Sequence, residues 1–457
     1  MKVVFFDIIK EKNKGVKNLK YDEYNINFIR EQILSEEIVI KARKNKKDFT
    51  RNRKLTVKDL ILYNLNKRGL TTKMELEDFI SLCNKEDISS PALLKQREKL
   101  NEEIFKYLNE ESMKNFYTKF SKEVKTFKGY VVTAIDGSDC EIPNTPFTRK
   151  KYKAQKASTA DKDRCARIKL SNCYDILNNY ILDTQIEQNK YDELELEQRH
   201  LKKVKDIILN YNIIRIMDRG YISLKDIYYS IKNDDKFVVR LKKAYFKNEQ
   251  QKMRTNDEIV EIEYQYDRVK YYKKVDNELY EYYENGNTIK VRFVNIILPT
   301  GEVETLLTNL NTKEFTTEDI NYLYQLRWGI ETSYHYLKES MKITNISSSK
   351  DGIIKQEIYS QMLVFNMLQA IQNEKEKEIN QEKYKHKMKI NINMAVGYIK
   401  RYIIVIMLED DMEKRERLYD ELTNKVLKNI VPIRKGRTFD RNKNTKNRYH
   451  LNKRKSF

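Results

Sequence analysis

The sequence predicts a mixed α/β protein in which helical N- and C-terminal regions flank a core of strands and helices. Three observations carry this. Residues 1 to about 125 repeat apolar side chains at helical spacing. From Gly129 onward, short β-rich runs and a helix alternate, two of the runs ending on an aspartate. After Leu241 the chain becomes tyrosine-rich with Asn, Asp and Gly turns, and helical sequence resumes near Thr316.

In the N-terminal region, Leu55 to Asn66 has helical periodicity, with Thr56 placed to cap it. Lys73 to Leu82 and a helix opening at Ser90-Pro91 and running to about Tyr107 come next. Two short helices across a tight turn permit a helix-turn-helix, with Lys95, Gln96, Arg97 and Lys99 on the second; an ordinary bundle satisfies the pattern equally.

Tyr130 to Ile135 is an apolar strand ending on Asp136-Gly137-Ser138. Ala166 to Tyr174 and Asn179 to Ile186 read as strands, and about Tyr191 to Ile208 as a helix. Ile213 to Met217 then reads as a buried strand ending on Asp218-Arg219-Gly220-Tyr221. Runs this continuously apolar imply central strands covered on both faces. Lys236 to Leu241 is a further strand. Glu258 to Tyr266, Lys270 to Val275, Leu279 to Tyr283 and Lys290 to Ile297 read as a meander, an antiparallel insertion. Thr316 or Thr317, backed by Glu318 and Asp319, starts a long helix to about Glu339. Helices at Ile354 to Asn373 and about Asn391 to Leu408 come after it, then a basic tail.

Length and composition limit the function. A chain of 457 residues suggests two to four domains. With 34% charged residues, 11 Gly and 5 Pro, most of it should be structured rather than linker. No apolar run reaches the ~18 residues of a membrane span, and Asp7 interrupts the apolar Val3 to Phe6 at once. A soluble protein of the bacterial cytoplasm, associated with the nucleoid, is expected. Cys83, Cys140, Cys165 and Cys173 form no Cys-x-x-Cys pair, and the histidines at 200, 335, 386 and 450 are scattered, which disfavours zinc. There is no P-loop, which disfavours a nucleotide-driven motor. Eighty-nine Lys and Arg against 68 Asp and Glu leave a net +21, concentrated at Lys41 to Lys58 and Arg434 to Lys455. Such patches attract a polyanion by counterion release, although a solvated face or tail would also look this way.

The chemistry is concentrated in the helix after Thr316. Tyr324, Arg327, Glu331 and Lys338 fall within about a 60° arc at ~100° per residue. That is a polar stripe where a core-facing helix is usually apolar. Asp136 and Asp218 each close a hydrophobic strand, where carboxylates project into the ligand crevice of an open sheet. Each is also an ordinary turn residue, and Arg327/Glu331 is also an ordinary i,i+4 pair. Three carboxylates from separate elements suit hard divalent cations with oxygen ligands, and two such ions suit in-line phosphoryl displacement.

The spacing Y-(2)-R-(3)-E-(6)-K, read as Tyr324, Arg327, Glu331 and Lys338, resembles the signature of the DDE transposases of the insertion sequence four family. Asp136-Gly-Ser resembles their first acidic motif and Asp218-Arg-Gly-Tyr221 their second. The gap between Asp218 and Glu331 leaves room for the β insertion that the family places before its glutamate. The likeness covers about Gly129 to Leu368; Phe49 to Leu55 and Val431 to Arg437 are less diagnostic.

The resemblance implies a ribonuclease-H-like core interrupted by an antiparallel β insertion. Its catalytic and metal-binding residues would be Asp136, Asp218 and Glu331, holding two Mg²⁺ for which Mn²⁺ can substitute. Tyr324, Arg327 and Lys338 would hold DNA phosphates. Further DNA contacts are expected from Arg51, Arg53, Lys95, Arg97, Arg434 and Arg437. The implied partners are double-stranded DNA, as terminal inverted repeats and target, and a second copy of the chain in a homodimer on DNA; no membrane is involved. The corresponding domains are 1–125 (helical, DNA-binding), 126–240 (core, first part), 241–312 (insertion), 313–375 (core, second part) and 376–457 (helical, with basic tail). Trp328 is expected to pack. Any base-stacking aromatic would come from Tyr264, Tyr266, Tyr271 or Tyr272. The rival readings are a nuclease of the same fold that joins no strands, an inactive DNA-binding relic, and an RNA-binding protein.

Overall fold

The computed structural model describes residues 20–51, 53–153, 155–156, 164–297 and 301–434. Arg437 and most of the basic tail lie outside the described residues. Among the described residues, no helix is long and apolar enough to cross a membrane. The chain divides into two compact units. One joins residues before 117 to residues from 340 on, and the other is the segment 117–339.

The 117–339 unit is built on an eight-stranded sheet. Its strands are β1 (Tyr130–Glu141), β2 (Arg167–Asp175), β3 (Tyr180–Gln188), β4 (Asn212–Met217), β5 (Lys236–Arg240), β6 (Asp257–Ile262), β7 (Ile289–Ile297) and β8 (Val303–Thr308). Their order is β3-β2-β1-β4-β5-β8-β7-β6. β1 runs parallel to β4 and β4 to β5; the other neighbours are antiparallel. Val131 to Ile135 are buried without alternation, as central strands covered on both faces require. Helix α1 (Glu193–Ile208) connects β3 to β4, and α2 (Leu224–Lys232) connects β4 to β5.

The insertion differs from the sequence expectation. Among the described residues there, Asp257–Ile262, Ile289–Ile297 and Val303–Thr308 are the strands, and β8 pairs with β5, so they extend the same sheet. Lys270 to Val275 and Leu279 to Tyr283 are helical, not extended: the helices are Tyr266–Val269, Tyr272–Val275 and Asn277–Glu284. Tyrosine favours strands, but Leu279 and Tyr283, four apart, share one buried face, and Asp276 caps the turn by accepting from the Leu279 N–H.

In the other unit, the long helix α5 (Asp351–Lys375) is buried nearly all round. It packs on helices Tyr21–Leu34 and Val57–Leu65 rather than with the strands. Thr56 and Asp59 form a reciprocal capping box at the start of Val57–Leu65. Thr72–Leu82 and Ser90–Arg97 are the two short helices of the expected pair, but the second ends at Arg97 and a new helix, Glu103–Lys119, begins beyond it. Ile392–Leu408 is capped by Asn391, and a further helix, Met412–Lys428, comes after it.

The turn before Thr72 depends on Gly69, at φ +85°, where an added Cβ would lie 3.0 Å from the Lys342 Cβ. Gly69→Ala is therefore expected to destabilise this unit by about 1–3 kcal/mol, from left-handed strain plus the clash. Urea unfolding checks this; an unchanged midpoint would remove the constraint.

Candidate active site

The parallel pairing of three neighbouring strands ends in register, although β1 itself continues through Asp136 to Glu141 rather than ending on the aspartate as the sequence suggests. Ile135 of β1 is paired with Met217 of β4, and Met217 with Val239 of β5. The next residue in each chain is charged: Asp136, Asp218 and Arg240. Neighbouring strands lie about 4.8 Å apart, so the register alone brings Asp136 and Asp218 side by side at the carboxyl edge of the sheet. The two acidic motifs also touch. A Cβ at Gly137 would sit 3.3 Å from the Tyr221 hydroxyl, a close approach that glycine permits.

The helix expected over this edge is segmented. It runs as α3 (Thr317–Leu326), with a capping box between Thr316 and Asp319, and α4 (Trp328–His335), and it ends in a π turn at Tyr336–Ser340. At the join, the Arg327 N–H bonds the Tyr324 carbonyl three residues back, at 3.1 Å. The wider π turn rotates its own side chains away from the line of the preceding helix. Lys338 accordingly reaches β1, where its Nζ donates to Ser138 Oγ at 2.6 Å and to the Asp139 carbonyl at 2.7 Å.

Tyr324 and Arg327 are each 5% exposed, so the first half of the polar stripe faces inward. Arg327 Nη1 donates to Glu331 Oε1 at 2.9 Å. The Arg327 Nε and the Tyr324 hydroxyl are buried and have no hydrogen-bond partner among the described residues. Burial weakens the Arg327 charge, but Tyr324, Asp218 and Glu331 outweigh it and hold the guanidinium above its ordinary range. Trp328 does not pack into the core: it is half-exposed, with the Arg327 guanidinium 5.2 Å from its ring centroid.

Burial pushes the Asp136 carboxyl up to about 6; the Gly137 N–H and Arg327 pull it down, while Glu331 and Asp218 raise it further. The Gly137 N–H donates to Asp136 Oδ1 at 2.9 Å. Arg240 Nε donates to Asp218 Oδ1 at 3.0 Å, and Arg240 also pairs with Glu304. Two of the three carboxylates thus hold arginine. Among the described residues, no group of three or more His, Cys, Asp or Glu stands close enough to hold a metal ion. The donor set nonetheless suits a hard dication: it is all oxygen, and the three acids feel one another's charge at Asp136.

Sequence reading missed two residues here. Arg240 carries a signal, a charge closing a third apolar strand beside two that end in aspartate. Tyr334, which contacts the Asp136 main chain, carries none. The expected outer DNA contacts divide. Arg51, Arg53, Lys95 and Arg434 are exposed. Arg97 is not: it is wholly buried, its Nη2 donating to Asn64 Oδ1 at 2.9 Å and to Glu357 Oε1 at 3.0 Å. A guanidinium so enclosed is a packing cation and cannot meet a phosphate while the helices hold together. Tyr264, Tyr266 and Tyr271 are exposed on the insertion, and Tyr272 is half-buried.

Residues 127–367, just over half of the chain, match the family described as the transposase DDE domain, and the protein belongs to that family. Within it, the chain is similar to Transposase InsG for insertion sequence element IS4 of Escherichia coli (strain K12), with 22% identity over 245 residues, 52% of each chain. The chain therefore spans about half the length of that curated relative. These two likenesses bear out the resemblance to the insertion sequence four transposases. A solved structure, the piggyBac transposase synaptic complex with hairpin DNA, is similar over 94% of this chain and 89% of that one, at 11% identity and a TM-score of 0.44.

Proposed function

We propose that this protein is the transposase of a bacterial insertion sequence, binding terminal inverted repeats as a homodimer and moving them by cut-and-paste transposition. The observation that carries the reading is the register placing Asp136 beside Asp218, with Glu331 in electrostatic contact from α4. The strand order β3-β2-β1-β4-β5, with α1 and α2 as connections, supports a ribonuclease-H-like core.

Asp136, Asp218 and Glu331 would hold two Mg²⁺ (or Mn²⁺), whose charge stabilises the attacking and leaving oxygens of an in-line displacement. Holding them requires the carboxylates to exchange arginine for metal, leaving the Arg240 and Arg327 guanidiniums free for phosphate oxygens. The Tyr324 O–H and Arg327 Nε–H are donors already in place for such an anion, and Lys338 adds a point charge. Water then attacks the phosphodiester at the element's end and frees a 3′-OH, which attacks a target phosphodiester and expels its 3′ oxygen.

The deciding experiment is cleavage of a labelled duplex carrying the element's terminal repeat, in Mg²⁺ and in EDTA, by wild type and Asp136→Ala. Metal-dependent cutting at the repeat boundary, lost in the variant, supports the reading. Binding without cutting in any divalent ion would mark an inactive descendant.

Arg327→Ala should slow cleavage by roughly 10- to 100-fold, the worth of a hydrogen bond to a charged group. Metal affinity should change far less. Equal rates for variant and wild type in the same assay would remove its phosphate role.

A further inference from the structure

The Tyr334 side chain stands out in the sheet unit because its hydroxyl lies within a strand pair. Asp136 of β1 is directly opposite Asn172 of β2. The Tyr334 hydroxyl accepts the Asn172 N–H at 3.0 Å and donates to the Asp136 carbonyl at 2.7 Å, with the Leu170 carbonyl 3.0 Å away. One buried phenol thus bridges main-chain groups of both strands at the residue bearing the first carboxylate.

The other end of that side chain is rooted in α4, one turn beyond Glu331. Residues three apart on a helix lie on the same side, so the turn carrying Glu331 is tied to the strand carrying Asp136 by a two-bond bridge. A second hydroxyl converges on the same carbonyl: Ser171 Oγ lies 3.4 Å from it. That hydroxyl is itself fixed, 3.0 Å from His200 Nε2, while His200 Nδ1 lies 2.7 Å from Asp183 Oδ2. All three are buried, beyond the reach of any substrate, so this serine-histidine-aspartate chain serves as a brace.

We infer that Tyr334 is a positioning residue that sets the separation of the Asp136 and Glu331 carboxylates, and with it the affinity of the acidic site for divalent metal. This rests on the transposase reading above. The hydroxyl acts through main-chain groups and touches neither carboxylate in the structure. Its loss would leave the Asn172 N–H and Asp136 carbonyl to re-pair directly or open, and either shift moves one acid against the other. Groups that orient metal ligands from behind typically contribute ~10–100-fold in metal affinity.

The experiment compares wild type, Tyr334→Phe, and a protein with 4-aminophenylalanine at position 334, which retains an N–H donor there. Mn²⁺ binding is followed by electron paramagnetic resonance, alongside cleavage of the repeat duplex and a thermal melt. The expected result is a Mn²⁺ dissociation constant about 10-fold or more weaker in Tyr334→Phe. Cleavage should be restored in part by raising Mn²⁺, and the amino analogue should recover affinity. Unchanged Mn²⁺ affinity in a folded Tyr334→Phe protein overturns the inference. Should Tyr334→Phe not fold, the amino analogue decides: wild-type folding with a metal site weakened despite the retained donor would overturn it, and wild-type affinity would support it. If wild type binds Mn²⁺ at the site yet cuts no DNA, the transposase reading fails while the positioning role stands.

Discussion

Glu331→Gln is expected to lower the rate of strand cleavage about a thousandfold or more while leaving binding of the repeat ends intact. The amide keeps the shape of the side chain and an oxygen that can accept from Arg327, so the α3–α4 join and the basic surface persist. What disappears is one negative charge of the three proposed to hold the metals. Metal charge on the transferring phosphoryl group contributes several kcal/mol, and about 4 kcal/mol corresponds to roughly a thousandfold in rate. The measurement is single-turnover cleavage in Mg²⁺ paired with a gel shift in EDTA. Wild-type cutting by the variant would take Glu331 out of the catalytic set. A lost gel shift would assign it to DNA binding instead.

The second large effect lies far from the chemistry in sequence. Glu357 on α5 is 2% exposed and accepts from Arg97, from the Ser347 N–H at 2.9 Å and from the Ser347 hydroxyl, and it pairs with Lys67. Burial alone would push its carboxyl up, but Lys67 and Arg97 outweigh that and hold it down at about 2. Glu357→Gln should destabilise the protein by about 3–5 kcal/mol at pH 7, because two buried cations lose their counter-charge. The folded value lies below the ordinary 4.5, so the carboxylate's contribution is complete above pH 4.5 and is lost as pH falls toward 2. The wild-type stability curve should fall through that window, and the variant's should be flatter there. Urea midpoints at pH 7, 5, 4 and 3 test both statements; a variant as stable as wild type at pH 7 would refute them.

Much of the candidate site could be read before any coordinates. Asp136 and Asp218 were visible because a continuously apolar run that ends on an acid leaves few places for that acid, even though β1 itself runs on to Glu141. The cap at Thr56, and one at Thr316 or Thr317, were visible because capping is local. The failures have several causes, a partner distant in the chain being one. Arg97 looked like a surface cation on a short helix, and partners far along the chain, Glu357 and Gln356 among them, make it a core residue. The tyrosines of 270–283 looked extended until Leu279 and Tyr283 found a common buried face. The stripe through Lys338 assumed one straight helix, whereas the π turn at Tyr336–Ser340 changes its last position. Tyr334 was invisible because nothing in a sequence indicates a hydroxyl lodged between two strands.

The interleaving of the two units also imposes an order on synthesis. The segment 117–339 is continuous and can close as soon as it has left the ribosome. The helices before it cannot: Arg97 must wait for Glu357, 260 positions later. At about 5–20 residues per second that delay is tens of seconds, during which Leu60, Ile61 and Leu62 lack their covering helix. The nascent chain thus carries an unfinished apolar surface throughout translation of the sheet, which makes a trailing ribosome's neighbouring copy, or a chaperone, its nearest competitor for that surface.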